Sequence, residues 1–488
     1  MKPSRYRSLA ALAGAVAVTG ATVLSAPGIA HASASAKWTK ISGNTGLSLA
    51  SAGLLRTADG RLHVIWPSHD GTTFSLHYST IGGRAKLVNT GSIVSKWSGI
   101  STYPRPVPGP GGGIRLVFTG ADGKGGSPYN LDAMYSATAS AAGTNWSLTP
   151  GSLSHSTLVP LTDTSATTQA NRTPVAAWSD GSSVDYHAGV SPTTPASDPD
   201  SVISLKAGSD AVGPTLVRDS NGKVFVAWFT SSSHSDQGYW ADQILPSKTA
   251  PVKAPGSGGG TLSNNQPLGA VGLAARIGGG TYLTYCVATK TQRCDHIALW
   301  KVGSARAITV PGSSGQNAFF PTIAAGPRGH MWILWFNEST NKIDVVRTNS
   351  AVTRFANRRV ISGPPKIALF SALRAEGSQG PLDVLALVQQ TTTGSSPAYY
   401  DTQLLPELRI AASPRTVSHQ HATTITFKVT DSGDPVAGAK VEFLGKTVTT
   451  NARGAASVKV PKGTAKGKHE AVATSNGFIS ARVTITVT

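Results

Sequence analysis

The sequence predicts an all-β chain. Three observations carry that prediction: a strand pattern recurring every 50–60 residues, short alternating strands broken by Gly, Asn, Asp and Ser turns, and almost no helical periodicity. The recurring unit is a turn glycine, an apolar run and a closing aromatic. It reads Gly60-Arg-Leu-His-Val-Ile-Trp66, Gly112-Gly-Ile-Arg-Leu-Val-Phe118, Gly222-Lys-Val-Phe-Val-Ala-Trp228 and Gly329-His-Met-Trp-Ile-Leu-Trp335. Weaker copies run from Arg172 to Trp178, Gly280 to Tyr285 and Gly380 to Ala386. Their closing positions, 66, 118, 178, 228, 285, 335 and 386, lie 52, 60, 50, 57, 50 and 51 residues apart. Units of that length suit four-stranded sheets stacked radially, which protects sheet edges and buries the aromatic. Residues 37–405 are therefore expected to form a seven-bladed β-propeller, or a six-bladed one if the copy at 172 or 380 is not a blade.

The chain begins with Lys2, Arg5 and Arg7, continues through an uncharged Ala/Val-rich stretch from Leu9 to Leu24, and reaches Ala30-His-Ala32 and Ala32-Ser-Ala34. A basic region, a short apolar region and an A-x-A site predict a secretory signal over 1–34 and a secreted, extracellular protein. The apolar run is too short and too often interrupted for a membrane span.

Within the body, each repeat strand follows a second apolar segment, such as Pro214–Arg218, Pro321–Ala325 or Leu369–Leu373, across a short turn. After it come a polar loop and an alternating strand, such as Phe74–Tyr78 or Lys342–Val346. Trp38 and its neighbours are expected to supply an outer strand closing the last blade. Cys286 and Cys294, eight apart between strand-like flanks, predict a disulfide stapling a hairpin, because exported thiols meet an oxidising environment. With one nearby histidine, His296, they fall short of a four-ligand metal site, and no metal or cofactor is expected.

Pro406 and Pro414 bracket a connector, and a different pattern then fills 410–488. Ala422–Thr430 alternates strictly, Asp431-Ser-Gly-Asp-Pro435 turns, Ala439–Phe443 alternates again, and further short strands follow at 446–450, 455–460, 469–474 and 481–487. These describe a small β-sandwich. The runs Pro435-Val-Ala-Gly-Ala-Lys-Val441 and Thr449-Thr-Asn-Ala-Arg-Gly-Ala-Ala-Ser-Val458 resemble bacterial immunoglobulin-like and carboxypeptidase-regulatory-like modules. That resemblance implies a spacer, a stalk or a weak glycan or cell-surface contact.

In the body, Tyr135–Trp146 resembles a degenerate Asp-box, the Ser-x-Asp-x-Gly-x-x-Trp turn of sialidase-like propellers. Gly143 and Trp146 keep their offsets, while Ala139 and Ala141 stand at the serine and aspartate positions. In that family the box is a structural hairpin feature away from the active site. The family's hydrolases use three arginines on a carboxylate, a tyrosine nucleophile with a glutamate, and an aspartic acid. The Arg-Ile-Pro segment expected early is missing at Gly53-Leu-Leu-Arg56, and Glu338 and Glu376 are the glutamates of the body, with Glu407 at its edge. No spacing selects a carboxylate pair for glycoside hydrolysis, and no nucleophile elbow, zinc helix or phosphate loop is present.

The formal charge is +19, of which the signal contributes three through Lys2, Arg5 and Arg7. The basic residues are dispersed, so the surface suits an anionic cell-wall polymer or an acidic glycan, or serves solubility alone. No clustered basic and stacking residues suggest nucleic acid. Contact residues are expected in the loops after the repeat strands, which share one face: His69, Asp70, Asp122, Lys124, Tyr129, Asp180, His234, Asp236, Arg293, Glu338 and Asn341. Taken singly, each reads more readily as an ordinary solvated turn residue. The leading expectation is a monomeric, secreted, non-catalytic protein recognising glycan or cell-surface polymer. The alternatives are a divergent sialidase-like glycoside hydrolase or lyase, and a structural cell-surface protein.

Overall fold

The computed structural model describes residues 37–47, 51–100, 103–122, 133–150, 152–153, 162–179, 181–189, 201–232, 235–258, 270–289, 294–364, 366–390 and 396–488. It is all-β. Three single-turn 3-10 segments make up its helical content among these residues, and no helix is long and apolar enough to cross a membrane.

Residues 39–404 form antiparallel sheets in chain order, seven among the described residues. Sheet 1 is Gly53–Arg56, Leu62–His69, Phe74–Gly82 and Lys86–Trp97, each strand paired with the next. Sheets 2 to 6 have the inner strands Arg105–Pro108, Thr162–Thr168, Asp210–Arg218, Gly272–Ala275 and Ala318–Ala325, that of sheet 2 preceded by the short strand Gly99–Ile100, which pairs with the end of the same second strand. Sheet 7 is Ile367–Glu376, Leu382–Gln390 and Ala398–Leu404, completed by Thr39–Lys40 from the start of the described chain. Thr39 stands opposite Asp401 and Lys40 opposite Tyr400. The expected closure by the segment at Trp38 is therefore present, and the Trp38 indole N–H reaches the Ser362 carbonyl of sheet 6 at 2.8 Å.

Every inner strand touches the inner strand of the next sheet, and that of sheet 7 touches that of sheet 1, so the sheets close into a ring of propeller type. Each junction between neighbours holds its own apolar cluster. Leu62, Val64, Leu385 and Leu387 fill the junction of sheets 7 and 1. Phe229, Tyr239, Tyr285 and Trp300 fill that of sheets 4 and 5. The seven repeat strands identified in the sequence are all second strands, Leu62–His69, Ile114–Ala121, Pro174–Ser179, Val224–Ser231, Thr281–Val287, Met331–Asn337 and Leu382–Gln390. A second strand packs on both faces, which is why each reads as a continuous apolar run.

The Asp-box-like segment forms the hairpin between the third and fourth strands of sheet 2. Gly143 is required there: its φ is +69°, and a Cβ would lie 2.2 Å from His63 Nδ1 of sheet 1. Trp146 donates to the Gly143 carbonyl at 3.1 Å and packs on Tyr78, so the turn fastens sheet 2 to sheet 1.

Residues 408–487 form two sheets around one core that includes Phe427, Val441, Phe443, Val458 and Ile485. The first strand, Leu408–Ser413, occupies the stretch read from sequence as a connector. Leu408 and Ala412 turn into the core, and the strand pairs with Thr423–Asp431. The two prolines flank a strand.

Candidate functional site

In an antiparallel sheet, the second strand ends where the inner strand begins. The loops after the second strands and the segments leading into the inner strands therefore share one face of the ring, called here the loop face. The C-terminal domain meets the opposite face, through Gly326–His330 and Thr348–Arg359 of sheet 6.

The sequence-derived candidates among the described residues stand singly around the loop face, in sheets 1, 2, 4 and 6. His69 stacks on Phe74, with ring centroids 4.3 Å apart, and its N–H donates to the Thr45 carbonyl at 2.7 Å. Asp70 caps its own turn, accepting from the N–H groups of Thr72 at 2.9 Å and Thr73 at 2.7 Å. Those backbone bonds hold its carboxyl well below the usual range. Asp122 follows directly on its second strand. Asp236 is buried; burial pushes its pKa up, but the Ser209 hydroxyl at 2.5 Å and further hydrogen bonds outweigh that and keep it low. Glu338 accepts from the Asn317 side-chain amide, and Asn341 turns the chain at a φ of +53°. Lys124, Tyr129, Asp180, His234 and Arg293 lie outside the described residues. The Cys286–Cys294 disulfide closes the loop after the second strand of sheet 5, with Cα atoms 5.5 Å apart.

A tighter group, missed from sequence, sits where sheets 7, 1 and 2 meet. Arg374, on the inner strand of sheet 7, points towards sheet 1, and its Nε–H donates to the hydroxyl of Ser51, two residues before the inner strand of sheet 1. The hydroxyls of Tyr399, in sheet 7, and Tyr103, two residues before the inner strand of sheet 2, both interact electrostatically with the guanidinium. Arg374 Nη2 is sealed from solvent without a hydrogen-bond partner, and the sealed Tyr399 hydroxyl takes a backbone hydrogen bond from Ala52 but has no acceptor for its own proton. Burial pulls the arginine pKa down and pushes the Tyr399 pKa up, so the phenol stays protonated and a donor at neutral pH. No carboxylate pairs with Arg374 among the described residues: Glu376 and Asp383, further along the same sheet, both pair with Arg56. The arrangement offers two unsatisfied donors and a positive charge beside aromatic rings, which suits an acceptor-rich anionic group. A sequence signal existed in hindsight: a lone arginine inside the apolar run Ile367–Ala375. Among the described residues, no group of three or more His, Cys, Asp or Glu stands close enough to hold a metal ion.

No family model matches the chain, and no curated protein matches it. Solved structures match at low identity. A polysaccharide lyase, Uly1, aligns at 12% identity over 73% of this chain and 90% of its own, with a TM-score of 0.47. An α-L-arabinanase of Penicillium chrysogenum bound to arabinobiose aligns at 11% identity over 65% of this chain and 98% of its own, with a TM-score of 0.42. A lectin of Aleuria aurantia in complex with a fucosylated N-acetylglucosamine aligns at 12% identity over 87% of this chain and 100% of its own, with a TM-score of 0.36.

Proposed function

We propose that the chain is an exported seven-bladed β-propeller carrying an immunoglobulin-like module, and that it recognises an anionic extracellular glycan or cell-wall polymer through its loop face. The observation that carries this reading is the Arg374–Ser51–Tyr103–Tyr399 group, drawn from three sheets, with a buried cationic nitrogen that nothing in the described protein satisfies and a phenol proton that finds no acceptor there. Burying such groups is unfavourable unless a partner arrives. The C-terminal domain sits on the opposite face and leaves the loop face uncovered by it. The high positive charge would draw an acidic polymer towards the surface. A non-catalytic role is favoured because Asp70 is engaged within its own turn, and Asp236 and Glu338 accept from Ser209 and Asn317 in the segments leading into the inner strands of their own sheets.

A glycan array probed with the mature chain tests this reading. Binding to acidic glycans is expected, weakened about 10- to 100-fold by Arg374→Gln, the range for losing a charge-assisted hydrogen bond. No glycan bound, or binding indifferent to Arg374→Gln in a folded variant, would overturn it. The second reading, a divergent glycoside hydrolase or lyase, draws on an arginine facing two tyrosines. Turnover of any bound glycan, abolished by Tyr399→Phe with binding retained, would favour the enzyme.

A further inference from the structure

The C-terminal domain is held at one end and bare at the other. At the ring end, Asp431 pairs with Arg347 of sheet 6, Asp434 accepts from the Ser350 N–H at 2.6 Å, and Glu407 pairs with Arg359 at 2.9 Å. The strand Thr423–Asp431 leads away from that contact, and an extended chain of its length spans about 26 Å. At its far end Thr423 stands opposite Val460, and in the other sheet Gly467 stands opposite Val487. The segments 418–422 and 459–468 meet there in a distal tip. The Gly463 N–H donates to the His419 carbonyl, the Thr464 hydroxyl to the Pro461 carbonyl and the His469 Nε2 to the Ala465 carbonyl, each at 2.8 Å, so the tip has a set shape.

Charge divides along the same axis. The tip carries Lys459, Lys462, Lys466 and Lys468, all exposed, beside His419 and His421, and its two segments contain neither an acid nor an arginine. Residues 408–488 hold four acids: Asp431 and Asp434 at the ring end, and Glu442 and Glu470 on strands, the last bonded by Arg482 at 2.8 Å. Among the described residues, none of the four tip lysines has an ion pair. No two of them are adjacent in sequence, which is why the cluster does not show as a basic run. Like charges held together on a preformed loop repel one another, and a polyanion relieves that repulsion. Lysine offers a point charge suited to phosphate, whereas a planar carboxylate favours the guanidinium fork that these segments lack. A lipid surface would call for an apolar side chain to insert, and the large exposed one of this domain, Ile479, lies at the ring end beside Glu407.

We infer that the distal tip is a docking surface for a linear polymer of phosphodiester-linked units. The contact is separate from the loop face and independent of the reading given to that face. Because the domain is pinned to the opposite side of the ring, a chain held by its tip presents its loop face away from the polymer.

Titration of the mature chain with inorganic polyphosphate at 50 and 200 mM salt tests the surface. Four ammonium contacts displace about three counterions from a flexible polyanion, so affinity is expected to fall about 50-fold between those salt concentrations. Combining Lys459→Gln, Lys462→Gln, Lys466→Gln and Lys468→Gln is expected to weaken binding about 100-fold or more at 50 mM salt. The same loss of charge at exposed positions towards the ring end, through Arg409→Gln, Lys428→Gln, Lys440→Gln and Arg453→Gln, is expected to weaken it less than about fivefold. Circular dichroism confirms that each variant is folded, and Lys462→Gln alone gives an intermediate loss if the fourfold tip variant is not. Equal weakening by the two fourfold variants would mean that net charge alone is at work and would refute the surface. Absence of binding at 50 mM salt overturns it as well, as does tighter binding, at equal charge concentration, to polygalacturonate or to phosphatidylglycerol vesicles. The loop face is tested with glycans and Arg374→Gln, so either reading can fail while the other stands.

Discussion

Two junctions of the ring solve the same packing problem with opposite materials. Sheets 4 and 5 meet through aromatic rings: Phe229 and Tyr239 lie edge-on at 4.9 Å between centroids, and Tyr239 and Tyr285 are tilted at 5.5 Å, beside a fully buried Trp300. Sheets 7 and 1, where the ends of the ring-forming segment are joined, share an apolar cluster too, but add a buried network of charge. Arg56 pairs there with Glu376 and Asp383, Gln403 donates to Asp383 at 3.2 Å, and Asp401 lies fully buried with both carboxylate oxygens unpartnered. Apolar burial is non-directional, so consecutive sheets can rely on it. A joint made by segments far apart in sequence gains from directional groups that accept one register. The seam is specified by charge and stabilised elsewhere.

The largest expected effect is on the aromatic side. Trp300→Ala removes a core indole and is expected to lower unfolding free energy by about 3–5 kcal/mol in denaturant titration. On the charged side, Arg56→Ala strands two acids, one of them fully buried, and is expected to cost about 3 kcal/mol or more. The triple change Arg56→Met, Glu376→Gln, Asp383→Asn should recover most of that loss; if it does not, the seam depends on charge for stability as well as for register. The smallest effect concerns the unpartnered acid. Burial pushes Asp383 up to about 6 despite Arg56, and pushes Asp401 up well above the usual carboxyl range, with Asp383 adding repulsion. A raised carboxyl pKa gives stability that is complete below about pH 4 and is lost as the pH climbs through about 6. Melting temperature is therefore expected to rise on acidification from pH 7.5 towards 5. Asp401→Asn, which cannot ionise, should flatten that slope and melt higher than the wild type at pH 7.5, with the difference shrinking towards pH 5.

The two junctions were not equally legible in the sequence. Repeat strands such as Val224–Ser231 and Thr281–Val287 announce themselves because burial on both faces writes an uninterrupted apolar run ending in an aromatic or near one. The strand Leu408–Ser413 did not, since its Leu-Arg-Ile-Ala-Ala-Ser alternation is short and lies between prolines that suggested a connector. The site at Arg374 was illegible for a different reason. Ser51, Tyr103, Arg374 and Tyr399 become neighbours only when the ring closes, and no local spacing encodes a meeting across more than 300 residues. Loop residues chosen one by one, such as Asp70 and Asn341, were in contrast easy to see, and the structure gives both of them work within their own turns.

The strand Thr39–Lys40, lying beside Tyr400 and Asp401, sets an order of events during synthesis. The earliest part of the ring must wait, unpaired, until almost all of the remaining ring has been made, because its partner is among the last stretches to appear. Meanwhile each half-built sheet presents bare edges, which invite misassembly. A nascent chain of this design depends on whatever shields it during that interval, and a truncation that spares every inner strand but removes those two residues would leave an assembled ring with an unfastened edge.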